Sequence, residues 1–467
     1  MTGSLRVDRL EVRAGPAALV RGLSFEAKPG VPFTIIGETG SGKTLVADSI
    51  MGTLARELTA SGRVVIGDAA YAADDRLGRR ALWGRRLAML PQEPWLALDP
   101  VMRTADQVAE VHRFVRGRDR DAANRAAAAD LGQVGLSAAG SKFAFQLSGG
   151  MAQRVAFAAT TATEAPLLLA DEPTKGLDAA LRDTVGALLL SVSGAGGVLL
   201  TITHDIALAR ALGGRIAVML EGAIVEEGEA TQVLTRPAHV YTRRLLLAEP
   251  SSWPRRPLRP PGAPVLRGEG ISLALGGAAL FDGLDLEARA GEWIAVTGPS
   301  GSGKTSLGNV LLGLRAPDRG RVLRSRSLHR LGLQKIYQDP VASFAPQRSL
   351  RLSLSDVARR HSLPATVAER ALSRLRVPLP LLDRVPSQVS GGELQRIALA
   401  RVLMLRPAVI FADEPTSRLD PISQQETFEL MQEACAETGC AVLLVTHDAT
   451  LAAAVSDRTI TLDRAAA

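Results

Sequence analysis

This chain contains most of itself twice, and that restricts its fold more than any other feature. GETGSGKT at 37–44 returns as GPSGSGKT at 298–305, and LPQEP around Gln92 returns as YQDP around Gln338. LSGGMAQR from Leu147 returns as VSGGELQR from Val389, LLLADEPTKGLD as VIFADEPTSRLD, and TITHD as LVTHD. Ser148 and Ser390 are 242 positions apart, Asp171 and Asp413 also 242, and His204 and His447 243. Five motifs in one order, repeated at a nearly fixed spacing, require two copies of one domain rather than a single large one. A length of 467 residues has room for both. We therefore expect a first domain over 1–250, a Pro/Arg-rich linker SSWPRRPLRPPGAP over 251–264, and a second domain over 265–467. Prolines exclude a regular helix from the linker, which reads as a short extended segment with its arginines on a solvated face.

Within each half, short apolar runs (PFTIIG, WIAVTG) lead into a glycine loop and then a helix, and LLLAD and VIFAD read as buried strands ending in carboxylates. The alternation predicts an α/β fold: two tandem P-loop nucleotide-binding domains, each a mostly parallel sheet core with a helical subdomain. Met102 to Gly132 and Ser353 to Leu375 supply the helical regions. The second half is shorter between its lysine and glutamine and ends soon after His447, so a trimmed copy is expected. Hydrophobic residues at 46% suffice for two cores, built mainly from Ala, Leu, Val and Ile because aromatics are only 4%. The net charge of +7 is modest, and its makeup is lopsided: six of the 55 basic residues are lysines. Cys435 and Cys440 cannot form a disulfide framework and lack zinc spacing; two buried, idle thiols are expected. No apolar run reaches the ~20 residues of a membrane span. MTGSLRVDRLEV has no apolar core of a signal peptide, so a cytoplasmic protein is expected.

GxxxxGK[ST] wraps backbone N–H groups and a helix N-terminus round a phosphate chain. Gly37, Gly40, Ser41 and Gly42, with Gly298, Gly301, Ser302 and Gly303, form the two loops. Lys43 and Lys304 are expected to reach the β- and γ-phosphates, and Thr44 and Thr305 to hold Mg²⁺. Asp171 and Asp413 end buried strands downstream of these loops and are read as Mg²⁺ partners rather than simple helix caps. Glu172 and Glu414 follow at once, placed to polarise an attacking water; both are present, so two hydrolytic sites are expected.

Together with these loops and carboxylates, LSGGMAQR and VSGGELQR resemble the signature motif of the ATP-binding cassette (ABC) ATPases, and the resemblance spans nearly the whole chain. It implies that ATP is held between the phosphate loop of one cassette and the SGG segment of the other, so both sites form within one chain. Site one would combine Lys43, Thr44, Gln92, Asp171, Glu172 and His204 with Ser390, Gly391 and Gly392. Site two would combine Lys304, Thr305, Gln338, Asp413, Glu414 and His447 with Ser148, Gly149 and Gly150. Gln92 and Gln338 are expected at the metal, His204 and His447 at the γ-phosphate, and Asp178 and Asp420 linking the sites. His112, His239, His329 and His361 receive no role. At the positions where the family stacks adenine on an aromatic ring, this sequence has Ala14 and Leu275.

HVYTRRLLLAEP at 239–250 and QDPVASFAPQRSL after the second glutamine resemble ATPases serving peptide and nickel importers. The implied machine takes up peptides, nickel or metal chelates. Its partners are two integral-membrane permease subunits and an extracytoplasmic solute-binding protein, and the ATPase works at the cytoplasmic face of the membrane. Two alternatives remain open from sequence. One is a soluble ABC ATPase acting on ribosome or nucleic acid, favoured by basic runs such as RFVRGRDR and opposed by the short linker; the other is a fused sugar-importer ATPase. No nucleic-acid partner is expected.

Overall fold

The computed structural model describes residues 3–93, 97–177, 179–257, 260, 262–299, 301–326, 328–364 and 366–463. It divides into two compact units, Met1–Leu246 and Leu247–Ala467.

In the first unit, β1 (Leu5–Ala14), β2 (Ala17–Ala27), β4 (Thr59–Ile66) and β5 (Ala69–Ala72) form an antiparallel sheet in the order β2-β1-β4-β5. Strand β3 (Phe33–Ile36) belongs to a second sheet with β6 (Leu87–Leu90), β7 (Leu167–Asp171), β8 (Val198–Thr203), β9 (Arg215–Leu220) and β10 (Ala223–Glu229), ordered β10-β9-β3-β8-β7-β6. Only the β9–β10 pair of that sheet is antiparallel. The strands β3, β7 and β8 are buried along their whole length, which accounts for their unbroken apolar runs.

The second unit repeats this plan with fewer strands. Strands β11 (Pro264–Leu275), β12 (Ala278–Arg289) and β14 (Arg319–Arg324) make a three-stranded antiparallel sheet. Strands β13 (Trp293–Thr297), β15 (Leu333–Ile336), β16 (Val409–Asp413), β17 (Ala441–Val445) and β18 (Arg458–Thr461) form an all-parallel sheet ordered β15-β16-β17-β13-β18. The order matches β6-β7-β8-β3-β9 of the first unit, and no described strand stands where β5 and β10 do.

The helical regions fall close to where the sequence places them, as Thr104–Glu110 and Arg120–Gln133 in the first unit and Leu350–Arg360 and Thr366–Arg374 in the second. A π-turn over Val111–Val115 interrupts the first pair, and there His112 is buried against Asp130 at 2.7 Å. Cys435 and Cys440 are both buried and free, and the hydrogen-bonding Cys435 neighbour, with burial added, pushes the Cys440 thiol well above its ordinary range. Among the described residues no helix is long and apolar enough to cross a membrane.

One expectation about the linker needs correcting. Arg256 is not on a solvated face: its guanidinium pairs with Asp457, donates to the Gly291 carbonyl at 3.0 Å, and lies 5.3 Å from the Trp293 ring centre. Trp253 packs edge-on against Phe428 with ring centres 5.9 Å apart. Pro254 and Pro257 hold their φ near the polyproline value, and with three residues per turn Trp253 and Arg256 fall on the same side of the segment.

Candidate nucleotide-binding sites

In parallel sheets, ligands gather beyond the carboxyl ends of the strands. Here β3, β8 and β7 are neighbours, so the glycine loop after β3, Thr203-His204 after β8 and Asp171-Glu172 at the end of β7 converge. The same holds for β13, β17 and β16.

Each loop bends tightly into its helix. Gly42 and Gly303 cap Lys43–Met51 and Lys304–Leu311 at φ 98° and 92°, a left-handed backbone that favours glycine. A Cβ at Gly37 would stand 2.2 Å from the Met219 carbonyl oxygen, and one at Gly298 would stand 2.3 Å from that of Leu462, so no larger residue fits. Lys43 Nζ donates to the carbonyls of Gly37 (2.8 Å) and Glu38 (2.7 Å), and Lys304 Nζ to those of Gly298 (2.8 Å) and Pro299 (3.0 Å). Ser41 and Ser302 are buried within their loops, and Gly40 and Gly301 turn at φ 85° and 82°.

Asp171 is 1% exposed, with the Thr44 side chain close enough to its carboxylate to favour the charged form. Burial, reinforced by the charge of Glu172, pushes the Asp171 carboxyl up to about 6. Its Oδ1 is buried with no hydrogen-bond partner among the described residues. An orphaned carboxylate oxygen beside a threonine hydroxyl fits a divalent cation such as Mg²⁺. Asp413 differs. Thr305 Oγ1 donates to its Oδ1 at 3.1 Å, and its Oδ2 lies 3.3 Å from Lys335 Nζ.

The adjoining glutamates meet their histidines in both units. Glu172 Oε1 lies 2.8 Å from His204 Nδ1, while Oε2 accepts from the Thr203 hydroxyl at 3.1 Å and the His204 amide at 3.3 Å. Burial alone would raise the Glu172 carboxyl, but the cationic imidazole beside it outweighs this and holds it below the ordinary value. Burial likewise opposes protonation of His204, and Glu172 reverses the balance, raising it. In the second unit Glu414 Oε1 is 3.3 Å from His447 Nδ1, and Gln338 Nε2 donates to Glu414 Oε2 at 2.9 Å. Among the described residues Gln92 has no corresponding bond to Glu172. Glu172 and Glu414 sit at φ 48° and 44°, where a residue with a Cβ is strained.

Ser148 and Ser390 are the N-caps of Gly149–Thr161 and Gly391–Leu403, so each SGG segment presents a helix N-terminus, with Gly150 and Gly392 buried in its first turn. Ser390 shares a reciprocal capping box with Glu393, where the first unit has Met151. Asp420 caps Pro421–Thr438 through the Ser423 amide at 2.9 Å. Asp178 lies outside the described residues. Ala14 and Leu275 take equivalent places at the ends of β1 and β11.

Two residues at these sites were not singled out from sequence. Lys335 is one. The other is Tyr241, which is 7% exposed in the helix Val240–Leu247, within the tail that resembles importer ATPases. Its hydroxyl meets the phosphate loop at Glu38. Lys335 carried no signal beyond its residue type, an isolated lysine inside a strand; Tyr241 lies within the tail segment HVYTRRLLLAEP, whose resemblance gave the tyrosine no role of its own.

The ABC transporter family model matches residues 20–175 and 281–417. The chain is 32% identical over 478 residues to the peptidoglycan transport ATP-binding protein YejF of Agrobacterium fabrum, covering 94% of this chain and 86% of that one. It is 32% identical over 510 residues to the glutathione import ATP-binding protein GsiA of Escherichia coli K12, covering 94% and 81%. Among solved structures it is similar to RNase-L inhibitor, with a TM-score of 0.66 at 20% identity over 97% of this chain and 87% of that one, which speaks for the shared fold alone. With the family matched in both halves, and phosphate loop, paired carboxylates and histidine assembled in each, the chain belongs to the ABC transporter family as an ATPase with two ATP-binding cassettes in tandem.

Proposed function

We propose that this chain powers a membrane importer for peptides or peptide-like solutes. The supporting observation is its near full-length similarity to two ATPases whose names describe peptidoglycan transport and glutathione import. The tail helix Val240–Leu247 adds to it, because the same segment resembles peptide-importer ATPases and is attached to the first phosphate loop through Tyr241. The basic runs that suggested a nucleic-acid partner gain no support from the fold-level likeness to RNase-L inhibitor, since 20% identity carries no function.

In this reading Lys43 and Lys304 bind the terminal phosphates of ATP. Thr44 and Asp171 would hold Mg²⁺ at the first site, and the bound ion would supply positive charge beside the transferred phosphoryl group. Glu172, kept anionic beside His204, accepts the proton of the attacking water, and Glu414 has the corresponding place next to His447. The ATPase acts at the cytoplasmic face of the membrane, with two permease subunits and an external binding protein as partners.

Affinity purification from detergent-solubilised membranes of the native host tests the proposal. Two polytopic permease subunits, with a peptide-binding protein as their associate, are the expected result. Recovery of a nickel- or chelate-binding protein would move the solute class. Recovery of ribosomal components without a permease would overturn the importer.

A further inference from the structure

Lysine is rare in this chain: Lys335 is one of six, and two of the others are the phosphate-loop lysines. It sits on β15 in register with Phe411 of β16. Residues 411 and 413 face the same side of the sheet, so the Lys335 side chain runs along that side to the strand end. Its Nζ lies 3.3 Å from Asp413 Oδ2, 3.2 Å from Asn309 Oδ1, and 5.4 and 5.7 Å from the ring centres of Tyr337 and Phe411. The ammonium is therefore held by a carboxylate, an amide oxygen and two aromatic faces, with the Lys335 and Asp413 side chains 10% and 11% exposed. With Thr305 on Oδ1, both oxygens of Asp413 are engaged.

The first unit has the opposite chemistry at the matching positions. Aligned on Gln92 and Gln338, Lys335 corresponds to Met89; counted from the loop lysines, Asn309 corresponds to Asp48. Asp48 adds negative charge near Asp171, whose Oδ1 has no partner among the described residues. The first site thus presents a surplus of carboxylate to a cation, and the second already contains its cation. Mg²⁺ needs several oxygens close around it, and a protonated lysine cannot be one of them. An ammonium and a divalent ion sharing one poorly solvated carboxylate repel strongly.

We propose that Lys335 takes the divalent-cation position of the second nucleotide site, so that this site holds ATP with little dependence on Mg²⁺ while metal-assisted hydrolysis is concentrated at the first. Positive charge at Asp413 still helps to retain the phosphates, but it does not polarise the γ-phosphate as a coordinated metal does. The two sites then have separate duties, one retaining nucleotide and the other turning it over. The proposal rests on the ATPase assignment and not on the importer, since it is tested on the purified chain without partners.

The test is Mn²⁺ binding followed by electron paramagnetic resonance on the full chain saturated with a non-hydrolysable ATP analogue, with nucleotide stoichiometry measured in parallel by a fluorescent ATP. Wild type is expected to bind about two nucleotides but only about one tight Mn²⁺, the second being weaker by on the order of tenfold or more. Lys335→Met should restore the second tight Mn²⁺, and Met89→Lys should remove the first while leaving fluorescent-ATP stoichiometry unchanged in EDTA. Two equally tight Mn²⁺ ions in wild type, or a Lys335→Met chain with native nucleotide stoichiometry and unaltered Mn²⁺ binding, would overturn the proposal. If Lys335→Met loses nucleotide through misfolding, Met89→Lys decides alone: unchanged Mn²⁺ binding there overturns it equally.

Discussion

The hydroxyl of Tyr241 accepts a 3.0 Å hydrogen bond from the backbone amide of Glu38, 203 positions earlier in the chain. The tail helix is held for this contact from below. Glu226 accepts from the Ala238 and His239 amides at 2.7 and 3.0 Å, and Thr242 and Leu245 are buried. Tyr241→Phe keeps the ring and removes the acceptor. It should cost about 1 kcal/mol of stability and weaken ATP binding at the first site by roughly threefold. Calorimetry and fluorescent-ATP titration check this, and an unchanged affinity would show that the tail does not set the loop.

Glu172→Gln should lower phosphate release by on the order of 10²-fold or more with ATP still bound, because the amide cannot accept the water's proton. Glu414→Gln should lower it far less if the first site carries most of the turnover. Equal losses from the two substitutions, in single-turnover assays, would argue for equivalent sites.

The Asp171 carboxyl, raised to about 6 from 3.8, favours the folded state when protonated. Its contribution is fully present below about pH 4 and is lost as pH rises through about 6, a change on the order of 2–3 kcal/mol. In EDTA without nucleotide, Asp171→Asn should therefore be more stable than wild type at pH 8, with the gap closing towards pH 4. Thermal unfolding of the two proteins across that window measures it, and a gap of constant size would refute the assignment.

Arg256→Ala leaves Asp457 without its guanidinium, and the two side chains are only 9% and 16% exposed. Asp457 Oδ2 also accepts from the Trp293 amide at 2.7 Å, so the damage reaches the start of β13. The second unit should lose on the order of 3 kcal/mol, seen as an earlier unfolding transition that Arg256→Lys partly restores.

Much of each site was legible because its parts are local. A glycine loop, a carboxylate pair after four apolar residues and an SGG before a helix are each contiguous, and the parallel order of β3, β8 and β7 brings their ends together. What escaped depended on contacts between distant segments. Lys335 reads as an ordinary polar strand residue until β15 is known to lie beside β16. Arg256 reads as a solvated linker charge until Asp457 is found beneath it. Tyr241 looks like part of an amphipathic tail, and nothing in its neighbourhood names Glu38. The positive φ of Glu172 and Glu414 was also hidden, since glutamate does not advertise such a backbone.

That backbone has a consequence for how such a chain drifts. At φ 48° and 44° glycine would sit without strain, while glutamate carries a penalty of about 1–2 kcal/mol. A change from glutamate to glycine would relieve the backbone as it removed the reacting group, even though the bonds to histidine would go with it. A duplicated domain offers that relief at two positions, and this chain has taken it at neither: Glu172 and Glu414 both stand in the strained backbone.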